Sequence, residues 1–219
     1  MYIPEARSFD EGIEFYSKDT VIVATRQEGK VIISKSKSPQ LKDKETKTIP
    51  HGPLLSAIIG SLILTNHAFL ENSKIQMLGI LTLIWFGIIC YYFFSSRNPN
   101  MVQSYKYHAA EHKFLNYVDK YGKEPENCAE VMKMSSISYR CGSTLIAVIM
   151  VLLTLCISGL LFIPTIFFKI VWIAISIFVT LYLWANGKCD FLQKLAIKEP
   201  SYDEVEVAFL GGKEYLKIK

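Results

Sequence analysis

Residues 75–94, "IQMLGILTLIWFGIICYYFF", run for twenty positions without a charged side chain. A helix of roughly 20 apolar residues matches the hydrocarbon thickness of a bilayer, so this stretch makes the chain a membrane protein. Two similar runs follow, Ser143–Phe162 and Thr165–Ala185, the second broken only by Lys169. A weaker one, Pro53–Leu70, carries Asn66 and His67 and is expected to be a short or re-entrant span. The fold class expected is a mainly α, polytopic helical membrane protein with about four spans. Outside the bilayer it should carry a small N-terminal β-hairpin element and a helix with the pattern His-x-x-Glu-His.

The basic residues set an orientation. Nine Lys and Arg precede Pro53, one lies between the first two runs, seven lie between Phe94 and Ser143, one is Lys169 and six follow Ala185. With four spans, the basic segments fall on one side, which the positive-inside rule makes the cytoplasm. Both termini are then cytoplasmic. The opening "MYIPEARSFDEGIEF" lacks a basic segment followed by an apolar core, so the first 50 residues are expected to stay on the side of synthesis. A net charge of +4 needs no nucleic-acid partner, since lysines beside spans meet anionic headgroups of the lipid bilayer. Five cysteines, two of them inside spans, make no disulfide framework.

Five segments follow from these runs: residues 1–50, a cytoplasmic β element and linker; 51–94, the first two spans; 95–142, a cytoplasmic helical loop; 143–187, spans three and four; and 188–219, a cytoplasmic helical tail. In the first, "TVIVATR" and "KVIISKS" are β-branched runs joined by "QEGK", a hairpin turning at Gly29. The loop is long, and long loops tend to be functional. Asn98-Pro99 begins a helix expected to run from about Pro99 to Tyr121 and to end at Gly122. A second helix is expected over roughly Glu126–Ile137. In the tail, Pro200 should start a second helix, which Gly211-Gly212 should interrupt.

The loop helix carries "YKYHAAEHKF", residues 105–114. His108 and His112 are four apart and project from one face, the spacing at which two imidazoles share a metal. Glu111 lies on the same side. The pattern H-x-x-E-H is the inverted form of the zinc-protease signature, in which the metal acidifies a water and the carboxylate acts as general base. The bland alternative is two histidines packed at a membrane surface, with Glu111 paired to Lys113 or another cation.

A catalytic zinc takes three protein ligands, and the third is open. Cys141, Cys189, Asp190, Glu199, Glu204 and Glu206 are candidates. Glu206 leads, because it sits in "EVEVAF", where an unpaired charge is costly. Arg140 is placed to stabilise a developing oxyanion. The expected activity is membrane-associated, metal-dependent hydrolysis, a zinc peptidase with a peptide or membrane-protein substrate. The alternative is a non-enzymatic scaffold or regulator with a structural or sensory metal. A transporter is disfavoured, since no span carries ionisable residues at its middle. Thiol chemistry at Cys141 would need a histidine beside it.

The chain resembles the YqhQ-like family of bacterial membrane proteins, described as predicted metal-dependent enzymes. The likeness rests on "YHAAEHKFLNY", on "SYRCGST" before a span, on the tail "FLQKLAIKEPSYDEVEVAF" and, in outline, on "EGIEFYSKDTVIVATRQEGKVIIS". It implies a multi-pass protein of the bacterial cell membrane centred on His108, Glu111 and His112. Arg140, Cys141, Gln193, Glu199 and Glu206 would form the surroundings. One departure is Ser138, where the family commonly has a histidine. The family's Met-Met-Arg near the N-terminus is also absent.

Overall fold

The structure, a computed structural model, describes residues 5–17, 19–37 and 73–218. The weak run Pro53–Leu70, the histidines His51 and His67 and the linker beyond Lys37 lie outside the described residues. The chain divides into two compact units, one of Met1–Lys44, Ser95–Ser138 and Ala196–Lys219, the other of Glu45–Phe94 and Tyr139–Leu195.

The first unit opens with an antiparallel sheet of four strands in sequence order: β1 (Glu5–Phe9), β2 (Gly12–Tyr16), β3 (Thr20–Gln27) and β4 (Lys30–Lys37). The expected hairpin is its β3–β4 half. Its turn places both Glu28 and Gly29 at positive φ, the two-residue hairpin geometry whose twist matches the strands. The sequence pattern does not predict β1 and β2, because "EARSFDEGIEFY" mixes charges into its alternation. What makes them strands is long-range packing. Ile13 pairs across the ladder with Ala24 and Phe15 with Ile22, and all four point to one buried face.

Two helices cover that face, α2 (Pro99–Tyr121) and α7 (Tyr202–Lys217). On α2, Tyr107, Ala110, Phe114 and Val118 recur at helical spacing and enter the core. They meet Val205, Ala208, Phe209 and Tyr215 of α7 there. The α2 ends are as expected. The Asn98 carbonyl accepts from the amides of Met101 and Val102, and Gly122 takes a left-handed φ of 64°. The expected helix at Glu126–Ile137 is shorter, α3 (Cys128–Met132), with Asn127 accepting from the Glu130 amide as its cap.

The tail also differs from expectation. α7 runs through Gly211-Gly212 without a break. A Cβ on Gly211 would lie 2.6 Å from that of Ala24, and one on Gly212 would lie 2.2 Å from Phe114 Cζ. The glycines are spacers that bring the helix close to the sheet and to α2. Ser201 caps α7, and its hydroxyl and amide engage Glu204 in a capping box.

The second unit contains the apolar helices α1 (Ser73–Ser95), α4 (Gly142–Phe162) and α5 (Ile166–Ala185), followed by a 3-10 turn (Lys188–Asp190) and α6 (Phe191–Ala196). Three stretches, Gln76–Ser95, Gly142–Phe162 and Ile166–Ala185, are long and apolar enough to cross a membrane. Phe86, Leu145, Phe167 and Phe178 are among their exposed apolar side chains, as lipid contact requires. Polar groups are satisfied within the helices: Thr154 donates to the Met150 carbonyl, Ser176 to Trp172 and Thr180 to Ser176. Trp172 donates to the Leu155 carbonyl at 2.7 Å, with its indole against Gly159, where a Cβ would lie 1.9 Å from the ring.

Candidate metal centre

The histidine pair owes its geometry to α2. Their ring centroids lie 4.2 Å apart on consecutive turns. His112 is buried, and its Nδ1 lies 2.8 Å from the Ser136 carbonyl. A carbonyl only accepts, so Nδ1 carries the proton and the ring's lone pair is on Nε2. This is how ligating histidines are commonly oriented, with one nitrogen tied to a backbone carbonyl and the other facing the metal.

His108 is partly exposed, and its Nδ1 lies 3.5 Å from Glu111 Oε2. Glu111 is 4 % exposed, and Oε2 has no hydrogen-bond partner among the described residues. A carboxylate oxygen buried in that way is costly unless something at the site engages it.

Among the described residues, one group of His, Cys, Asp and Glu side chains could hold a metal ion: His108, His112 and Cys141, whose ligand atoms all lie within 4.8 Å of one another. Two imidazole nitrogens and one thiolate sulfur make a borderline-soft donor set of the kind zinc takes, so the residues present fit the ion expected from the motif. Cys141 is the N-cap of α4, where the helix end favours negative charge, and its sulfur lies 3.1 Å from the Ser143 hydroxyl.

The other sequence candidates are engaged elsewhere. Glu206 accepts from Arg26 Nη1 at 2.9 Å, and Arg26 also pairs with Asp203 at 3.0 Å. The cost of its charge among apolar neighbours is met by that guanidinium, and it is not in the His/His/Cys group. Glu204 belongs to the α7 capping box and accepts from Gln103 at 2.9 Å. Glu199 accepts from Lys113 at 2.8 Å and from the Ser136 hydroxyl at 3.0 Å. Burial raises the Glu199 carboxyl, but these bonds and the lysine charge outweigh it and leave it below the usual range. Asp190 accepts from Thr144 at 3.2 Å. Burial, with the Asp190 charge, pushes the Cys189 thiol up, away from the thiolate a metal needs. The Arg140 Nε donates to the Tyr139 hydroxyl at 2.8 Å.

Cys141 stood among six alternatives in the sequence. What distinguishes it is its position at the boundary where the long loop re-enters an apolar helix. The Ser136 carbonyl had no sequence signal, because a loop carbonyl carries no side-chain identity.

Three helices that could embed in a bilayer, and a His/His/Cys group that could bind a metal ion, define the class of protein. The chain belongs to a family described as a protein of unknown function, DUF1385, whose model matches residues 53–217. The YqhQ-like resemblance is consistent with this family, whose description states no activity. Comparison with curated proteins and with solved structures gives no match.

Proposed function

We propose that the protein is a membrane-embedded, metal-dependent hydrolase in which His108, His112 and Cys141 hold one divalent ion, zinc by the donor set. The observation that carries this reading is the convergence of those three ligand atoms beside a buried carboxylate oxygen without a hydrogen-bond partner. Three protein ligands leave a fourth position open, as in catalytic rather than structural zinc sites. When bound, the metal supplies Lewis-acid polarisation of the substrate carbonyl and a nucleophile at neutral pH. Glu111 is the general base, accepting a proton on its Oε2. Arg140, next to Cys141 in the chain, supplies positive charge for a developing oxyanion. The substrate class is a peptide bond in a small or membrane-associated peptide, and the site is the bacterial cell membrane.

Four spans with both termini cytoplasmic complete the proposal. The lysine distribution supports the side. Parity supports the number. Strands before Lys37 and α2 after Ser95 pack in one unit, so both ends of the intervening chain share a membrane face. With α1 as one crossing, the weak apolar run Pro53–Leu70 of the sequence is the other in this proposal.

A second reading is a structural or sensory metal site without hydrolysis. The 3.5 Å approach of Glu111 to His108 Nδ1 favours it, because a carboxylate there can orient a ligand instead of moving protons.

Metal analysis of the purified protein tests both. We expect about one zinc per chain in the wild type, from a three-ligand site, and marked loss in His108→Ala, His112→Ala and Cys141→Ser. Equal trace metal in all four would remove the proposal. Glu111→Gln separates the readings. A general base predicts retained metal and about 10²- to 10⁴-fold lower peptide hydrolysis. An orienting carboxylate predicts weakened metal binding.

A further inference from the structure

We infer that Lys113, acting with Asn116 and Glu199, is a positioning clamp that holds the 132–137 segment against α2 and thereby fixes the orientation and tautomer of His112. Its affinity consequence rests on the metal reading above. Its effect on the imidazole does not.

After Met132 the chain leaves regular structure until α4, so the carbonyls of that segment have no ladder to join. Side chains of α2 supply the donors instead. Lys113 Nζ donates to the carbonyls of Met132 at 3.0 Å and Met134 at 2.7 Å. Asn116 Nδ2 reaches those of Ser135 and Ile137, both at 2.8 Å. His112 Nδ1 takes the remaining one, that of Ser136, at 2.8 Å. Every carbonyl from Met134 to Ile137 therefore accepts from α2.

Lys113 is 4 % exposed, which is unusual for lysine, and it completes its bonding with Glu199 at 2.8 Å. Glu199 closes the circuit, since its other oxygen accepts from the Ser136 hydroxyl at 3.0 Å. Ser136 is thus held from two sides, by its hydroxyl and by its carbonyl, and that carbonyl dictates which His112 nitrogen bears hydrogen. A buried lysine needs partners in any fold. These partners are specific in converging on the backbone that orients one histidine.

The test uses the full chain in detergent with ¹⁵N-labelled histidine. In metal-free protein the wild-type His112 signal, assigned by its absence in His112→Ala, should show the Nδ1–H tautomer. Lys113→Met should shift it to a mixture of tautomers and weaken zinc binding, read by chelator competition, about 10- to 100-fold, as loss of an outer-shell partner does. Should Lys113→Met fail to fold, the milder Asn116→Ala/Glu199→Ala pair, whose side chains are less buried, should give the same direction. Lys213→Met breaks the Lys213–Glu124 ion pair of 2.9 Å in the same unit and should change neither readout. A folded clamp variant with the wild-type tautomer and zinc affinity overturns the inference. If the wild type binds no zinc yet the tautomer shifts in the variants, the clamp stands and the metal reading falls.

Discussion

A methyl group at position 212 would sit 2.2 Å from Phe114 Cζ, the aromatic centre of the first unit's core. Phe114 cannot yield freely, because it stacks edge-on with Phe15 at 5.9 Å and is fully buried. Gly212→Ala should therefore destabilise the protein by about 1–3 kcal/mol, the usual cost of overpacking, even though alanine is the better helix former by roughly 1 kcal/mol. A fall in thermal midpoint would check it, and a rise would show that Phe114 has room to move. In the sequence Gly211-Gly212 reads as a helix break, since local propensity is all that glycine shows there. Its spacer role depends on Phe15, Ala24 and Phe114, which come from distant parts of the chain. The histidines were legible for the opposite reason: their spacing of four is a local property of one helix.

At the scale of elements, ends with local chemistry were legible and those set by tertiary bonds were not. Pro99 and Gly122 bound α2 as their backbone preferences dictate. The helix expected over Glu126–Ile137 stops at Met132, because beyond it α2 side chains draw the carbonyls away from helical bonding. The start of α7 rests on Ser201 and Glu204. Burial raises the Glu204 carboxyl, but bonds from the Ser201 hydroxyl and from Gln103, with backbone amides, outweigh it and hold it below the ordinary range. A depressed folded pKa gives stability that is present above the unfolded value of about 4.3 and lost as pH falls through the folded one. Glu204→Gln should accordingly be less stable than wild type at pH 7, by about 1 kcal/mol for a weakened cap. That gap should close in acid. A pH series of melting temperatures for both proteins reads this directly, and a constant gap would contradict it.

At the scale of the whole molecule, the three apolar helices are plain in the sequence because runs of about twenty apolar residues with at most one charge have few other uses in a protein. The sheet was half legible: β3 and β4 carry the β-branched pattern, whereas β1 and β2 depend on their partners. The proposed four-span topology predicts that cysteines introduced at exposed Lys35, Lys120 and Lys217 react from the same side of the membrane. In inside-out vesicles an impermeant maleimide should modify all three, and in intact cells none. Opposite behaviour of Lys35→Cys and Lys120→Cys would contradict the parity between the sheet and α2.

The core of the first unit also has an order of arrival. Ile13, Phe15 and Ile22 leave the ribosome first, and Val205, Phe209 and Tyr215, which bury them, leave last. Throughout synthesis of the apolar helices, the inner face of the sheet has no α7 to cover it, and exposed apolar surface of that kind invites aggregation. Completion of this core is therefore a closing event of biogenesis. A chain cut short after α5 would carry His108 and His112, but not the helix that seals the sheet.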